Sequence, residues 1–153
     1  MITAKTTIKD LHVEERKWLY TAIWKVVVVD KHVSAEEFED LREAMNWVRQ
    51  EEMEELEKQA VEKYSLCPLE PLPRLSFEKA FLMINEVIRV ATEDRELLIS
   101  EQELIEHFAR LLGFTDDPSH ELILGWAQKM LELEIQKEAL AHRLKPFFSA
   151  PKS

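Results

Sequence analysis

The sequence predicts an all-α protein with five main helices: two related antiparallel helical hairpins followed by a long C-terminal helix. The 153 residues include only two glycines, Gly113 and Gly125, which leaves little material for tight β-hairpins or phosphate-binding loops. Apolar residues also recur every three to four positions over most of the chain, which is the period of an amphipathic helix. The length suits one domain, so we assign residues 1–153 to a single unit.

The first helix is predicted from about Asp10 to Val29. It carries one broad apolar stripe, formed by Trp18, Leu19, Ala22, Ile23, Val26 and Val27. The β-branched end of this segment has strand propensity, but the helical period upstream continues into it and no partner strand is evident. We therefore expect helix to the end of the valine run, followed by an acidic break at Asp30.

The second helix is predicted to begin at Ser34 and to end near Tyr64. Ser34 and Glu37 fit a capping box, in which the hydroxyl and the carboxylate each accept from an unpaired backbone N–H. This helix completes the first half of the domain, residues 10–64. Three prolines follow within residues 65–75, and because proline breaks a helix this segment is predicted to be a connector.

The second half, residues 76–146, repeats the pattern of the first. A helical stripe comprises Phe77, Ala80, Phe81, Ile84, Val87, Ile88 and Ala91. After an acidic break at Asp94, Ser100 and Glu103 make a second capping-box match for a helix that ends at Gly113, a predicted left-handed C-terminal cap.

The last helix is predicted to start at Asp117 and Pro118, an N-cap and first-turn pair, and to fade near Lys145. Its apolar positions are predicted to face the core, and they are Leu122, Ile123, Trp126, Ala127, Met130 and Leu131.

The two helix–acidic loop–helix units resemble the tellurite-resistance TerB-like family. The family pattern is an apolar helix, Asp-Gly, a hydrophobe, a polar cap and a glutamate. The first loop matches it at Asp30, Val33, Ser34 and Glu37, and the second, with an insertion, at Asp94, Ile99, Ser100 and Glu103. Lys31 and Arg95 stand where the family has glycine. The resemblance spans about residues 14–145 and implies a module that binds a partner protein in a bacterial stress response.

Acidic residues beside the two loops are candidate ligands for a divalent metal, which the resemblance also implies. They are Asp30, Glu36, Glu37, Glu93, Asp94, Glu96 and Glu101. Hard cations such as Ca²⁺ or Mg²⁺ need several oxygen ligands in one pocket. Glutamates in a first helical turn also complement the helix dipole with no metal. Two readings remain open: helix-start chemistry, or a weak cation site that makes the module divalent-cation-responsive.

Charge is concentrated on the predicted second helix. Residues 35–64 hold eleven acidic and four basic residues, a net −7 of the chain's −10. The run is either a solvated face or a docking surface for a protein with a basic surface. Partner-binding candidates are Glu51, Glu52, Glu54 and Glu55, together with Trp24 and Trp47 at the edges of their apolar stripes.

Other function classes find little support. The net charge disfavours nucleic acid and anionic membranes as partners, and no apolar run is long enough for membrane insertion. The motifs of common hydrolases, nucleotide-binding proteins and zinc enzymes are not found, and Cys67 is the single cysteine. We therefore expect a cytoplasmic, non-enzymatic protein with no required cofactor, and a homo-oligomer stays open.

Overall fold

A computed structural model describes residues 8–28, 69–72 and 75–149. This part of the chain is all-α, as predicted, and contains no strand. Its four helices are α1 (Val13–Val28), α2 (Phe77–Thr92), α3 (Ile99–Leu111) and α4 (Asp117–Leu144), with 3-10 turns at Ile8–Asp10 and Lys145–Phe147. Five main helices were predicted and these four are found; the predicted helix from Ser34 to Tyr64 lies outside the described residues.

Helix α1 confirms that the valine run begins as helix. Trp18, Leu19, Ile23 and other residues of its predicted stripe are buried. At its start, Glu15 accepts a hydrogen bond from the backbone N–H of His12 at 2.7 Å, which satisfies one of the free N–H groups of the first turn.

Helix α2 is capped by Ser76, whose hydroxyl accepts from the backbone N–H of Lys79. Its buried face packs against α1, α3 and α4. At its end Thr92 is fully buried, and its hydroxyl donates to the Ile88 carbonyl at 2.9 Å. Helix α3 also contacts the other three helices, so α2 and α3 together form the centre of the described bundle.

Helix α3 begins two residues earlier than predicted. Its N-cap is Leu98, and Glu101 accepts from the Leu98 backbone N–H at 2.9 Å. The predicted box of Ser100 and Glu103 is therefore wrong, although its chemistry is present in the Glu101 contact. The helix ends as predicted: Gly113 has φ +111°, and the Phe114 N–H donates to the Ala109 carbonyl, the long bond of a Schellman motif.

Helix α4 is capped by Asp116 and not by Asp117, because the Asp116 carboxylate accepts from the Ser119 N–H at 2.9 Å. The predicted burial of its apolar stripe is wrong at two positions: Leu122 is 76% exposed and Trp126 is 44% exposed. The buried face is centred on Ala127, and one residue along a helix turns the side chain by about 100°, which carries Trp126 to the edge.

Aromatic contacts fix how the helices cross in the core. Trp18 of α1 meets Phe108 of α3 edge to face, with ring centroids 5.9 Å apart. The Trp18 indole N–H also donates to the Glu70 carbonyl at 2.8 Å, which ties the non-helical residues 69–72 to α1. One core therefore joins the described residues on either side of the predicted connector.

Helix α4 runs beside α2 in the same direction. In the first half of α4, Trp126 is hydrogen-bonded to Asn85 of α2. Later in α4, Glu138 pairs with Arg95, which follows α2, so both chain segments advance in the same direction. Helix α3 runs back antiparallel to α2, because Phe114, just after its end, lies 6.3 Å from Phe77 at the start of α2. Within the described ranges, no helix is long and apolar enough to cross a membrane.

Candidate functional site

The loop between α2 and α3 does not gather its acidic side chains. Glu93, Asp94 and Glu96 are exposed, and the Asp94 carboxylate accepts from the Glu96 backbone N–H at 3.1 Å. Glu101, the fourth candidate of this loop, is fully buried below it. No group of three or more His, Cys, Asp or Glu residues that could hold a metal ion occurs among the described residues. The first-loop candidates Asp30, Glu36 and Glu37 lie outside them.

Arg95 occupies the position where the family pattern has glycine. Its φ is +64°, a left-handed conformation that glycine adopts without steric cost and other residues adopt with difficulty. Its guanidinium is 2.5 Å from the Glu138 carboxylate of α4, so this cation reaches across to the last helix. Arg95 therefore has a backbone conformation typical of glycine, and its side chain forms an ion pair with α4.

We expect Arg95→Gly to be about 1 kcal/mol more stable than Arg95→Ala. Both variants lose the Glu138 ion pair, which is partly exposed and contributes little, but only glycine removes the cost of the positive φ. Urea denaturation of the two variants measures this difference directly. Equal stabilities would show that the left-handed backbone is not retained in solution.

His120 is a buried residue that sequence reasoning did not single out. Its ring Nε2 lies 2.6 Å from the Phe114 carbonyl, and its Nδ1 lies 3.3 Å from the Glu106 carboxylate of α3. These contacts link the turn after α3 to the start of α4. His12, His107 and His142 are exposed, and His32 lies outside the described residues.

The predicted partner-binding residues are described only in part. Trp24 is half-buried and packs against the core, while Trp47, Glu51, Glu52, Glu54 and Glu55 lie outside the described residues. The acidic docking surface on the predicted second helix stays a prediction.

An open apolar groove lies between α2 and α4 and was not predicted. Its volume is about 400 Å³, within the usual range of binding sites. Its lining is Phe77, Phe81, Ile84, Asn85, Ile88, Phe114, Ser119, Leu122, Ile123 and Trp126. We refer to this surface as the groove.

Four of the ten residues that line the groove are aromatic. Phe77 contacts Phe81 at a ring distance of 6.0 Å and Phe114 edge to face at 6.3 Å. Phe77 is 53% exposed and Phe81 39% exposed, although both belong to the stripe predicted from the sequence. Large apolar rings left half open to solvent are typical of an interaction surface.

One polar pair crosses the groove. The Trp126 indole N–H donates to the Asn85 side-chain oxygen at 2.8 Å, which joins α4 to α2 at the groove wall. This bond fixes the orientation of the indole, so the ring is presented to a ligand in one position. A rigid aromatic ring loses little conformational entropy when it is covered.

The start of α4, beside the groove, is acidic. Asp116, Asp117 and Glu121 are all exposed there. The backbone N–H of Ser119 holds the pKa of the Asp116 carboxyl below its usual value. The groove therefore combines an apolar floor with negative charge at one end.

Comparison with known proteins identifies no relative of this chain. No protein-family model, no curated protein and no solved structure matches it. The TerB-like resemblance therefore stays a prediction from the loop patterns.

Proposed function

We propose that this protein is a non-enzymatic helical module that binds an amphipathic helix of a partner protein in the groove. The observation that carries the proposal is the cluster of half-exposed aromatic rings between α2 and α4. The TerB-like resemblance supports a partner-binding module and suggests a bacterial stress response.

The dimensions of the groove suit a helix as its occupant. From Phe77 to Ile88 the α2 wall spans twelve residues and rises about 16 Å, which is roughly three turns of a bound helix. Helices that dock in grooves insert apolar side chains at positions i, i+3 or i+4, and i+7. A helix three turns long presents one such set to the aromatic wall.

Charge supports a partner with basic residues flanking its apolar face. The chain carries a net −10, and Asp116, Asp117 and Glu121 stand at one end of the groove. Opposite charge accelerates encounter and selects among partners more than it tightens the final complex.

Selection from a displayed library of amphipathic helices tests the proposal. The library carries apolar anchors at i, i+4 and i+7 with random flanking positions, and the full chain is the target. We expect selected peptides to be enriched in Lys and Arg at the flanks and to bind with affinity that falls as salt concentration rises.

Phe81→Glu is the variant that tests the site itself. A carboxylate placed on the aromatic wall must be desolvated when an apolar helix covers it, so we expect at least about a tenfold loss of affinity for the selected peptide. Fluorescence anisotropy measures the change. Ile135→Glu is the matched control, because it adds the same charge at an exposed apolar residue of α4 outside the groove and should leave peptide affinity unchanged.

Two outcomes would contradict the proposal. One is a selection that yields no helical peptide. The other is a selected peptide that binds Phe81→Glu as tightly as the unmodified chain while circular dichroism shows that the variant is folded.

A further inference from the structure

The second half of α4 presents apolar side chains to solvent. Leu133, Leu140, Leu144 and Phe147 are all exposed, with exposures from 44% to 84%. Glu138 makes the ion pair with Arg95, and every residue from Ala139 to Ser149 is exposed. Helices in proteins gain most of their stability by packing an apolar face against a neighbour. The second half of α4 leaves such a face exposed.

These residues follow the spacing of a coiled-coil seam. Positions 130, 133, 137, 140, 144 and 147 are separated alternately by three and four residues. Five are apolar, namely Met130, Leu133, Leu140, Leu144 and Phe147, and the sixth is Lys137. We refer to these six positions as the seam.

From Leu133 onward the seam is distinct from the face with which α4 packs on its own domain, while Met130 is half-buried and packs against the core at the boundary between the two faces. That inner face passes through Ala127, which is buried, and Glu138, which pairs with Arg95. At 100° per residue, Leu133 and Leu140 lie about a third of a turn away from it. One helix thus carries two apolar faces, and the domain covers only the first.

We propose that a second copy of this chain docks along the seam, with the two α4 helices antiparallel. The seam is self-complementary in this orientation. Leu133 then lies opposite Leu144 of the other copy, and Lys137 opposite Leu140. Met130 and Phe147 stand at the two ends of the seam, where Phe147 belongs to the 3-10 turn that follows α4. A twofold axis between residues 138 and 139 generates each layer twice, as an isologous dimer requires.

Lys137 selects the antiparallel orientation. A parallel, in-register pair would place the two Lys137 ammonium groups in one layer of an apolar seam, where like charges repel. In the antiparallel pair the Lys137 stem lies along Leu140 of the other copy while its ammonium group reaches solvent. A single polar residue at a seam position commonly specifies orientation in this way.

The surface is large enough for a reversible dimer. Eighteen residues of seam, from Met130 to Phe147, bury on the order of 1,000 Å² in total, which is the lower limit for a specific interface. We therefore expect dissociation in the micromolar range. The groove is not required for the dimer, because none of its lining residues belongs to the seam. The dimer and the peptide site can therefore be tested independently.

Sedimentation velocity over a range of concentrations tests the dimer. We expect the mass to rise from 18.0 kDa towards twice that value at tens of micromolar, and Leu140→Glu to remain a monomer. Ile135→Glu is the matched control: Ile135 is 49% exposed on the same helix but lies outside the seam, so its variant should still dimerise. A chain that stays monomeric at high concentration, or a dimer that survives Leu140→Glu, would overturn the proposal.

Cysteine cross-linking tests the orientation. Cys67 is the single native cysteine and is first replaced in Cys67→Ser. On that background, Leu133→Cys and Leu144→Cys chains are oxidised separately and as a mixture. The antiparallel seam predicts cross-linked dimer in the mixture and little in either variant alone. Efficient cross-linking of each variant to itself would show a parallel pair and overturn the assignment.

Discussion

Replacing Phe108 with alanine is expected to lower the free energy of unfolding by about 3–5 kcal/mol. Phe108 is 1% exposed and meets Trp18 edge to face at the crossing of α3 with α1. The substitution removes the buried ring and leaves a cavity between two helices that share few other aromatic contacts in the described core. Urea denaturation followed by circular dichroism measures the loss.

Phe148→Ala is the matched control for this core substitution. Phe148 is 75% exposed, so removing the same ring should change the stability of the isolated chain by less than about 0.5 kcal/mol. Equal effects of the two variants would contradict the core described above. The measurement is made at a concentration low enough that the proposed dimer does not form.

Replacing Glu101 with alanine is expected to lower the stability by about 2–3 kcal/mol. Glu101 is fully buried, and its carboxylate accepts from the backbone N–H of Leu98 at the first turn of α3. Alanine leaves that N–H without its acceptor and opens space beneath the loop. Glu101→Gln keeps an oxygen acceptor and should recover part of the loss.

Glu103→Ala distinguishes the observed start of α3 from the one that the sequence predicts. Glu103 is exposed, so its removal should cost less than about 0.5 kcal/mol. If Glu103→Ala were the more destabilising variant, the helix would begin at Ser100, and the start at Ile99 would be wrong.

The helices of the described bundle could be predicted from the sequence, but the position of a helix cap could not. Apolar residues at helical spacing predicted α1, α2 and the buried parts of α3, because the period is repeated over several turns. The predicted cap at Ser34 lies outside the described residues, and the predicted cap at Ser100 was wrong. A capping box needs a carboxylate three residues beyond the cap, and residues 101 and 103 are both glutamate. Burial of Glu101 decides between them, and burial is a tertiary property.

The groove was not predicted from the sequence, for a related reason. Phe81 and Trp126 belong to apolar stripes, and the spacing of a stripe does not give the width of the face that a neighbouring helix covers. Each lies one residue from a buried alanine, Ala80 or Ala127, and therefore at the edge. The groove depends on the gap that remains between α2 and α4, which no local pattern encodes.

The sequence left two readings of the acidic loop open, a shared cation or helix-start chemistry, because Glu93, Asp94 and Glu96 are close in sequence. In the structure the Asp94 carboxylate accepts from the backbone of its own loop and Arg95 reaches α4, so the loop is organised by its backbone and by one tertiary ion pair.

The indole N–H resonances of the four tryptophans test the central claim most directly. The probe is the selected basic helical peptide, titrated into the full chain while these signals are recorded by NMR. The groove account predicts that the Trp126 signal shifts, because its N–H bonds to Asn85 in the groove wall, and that the Trp18 signal, held in the core by Glu70, does not. Saturable peptide binding that leaves the Trp126 signal unchanged would contradict it.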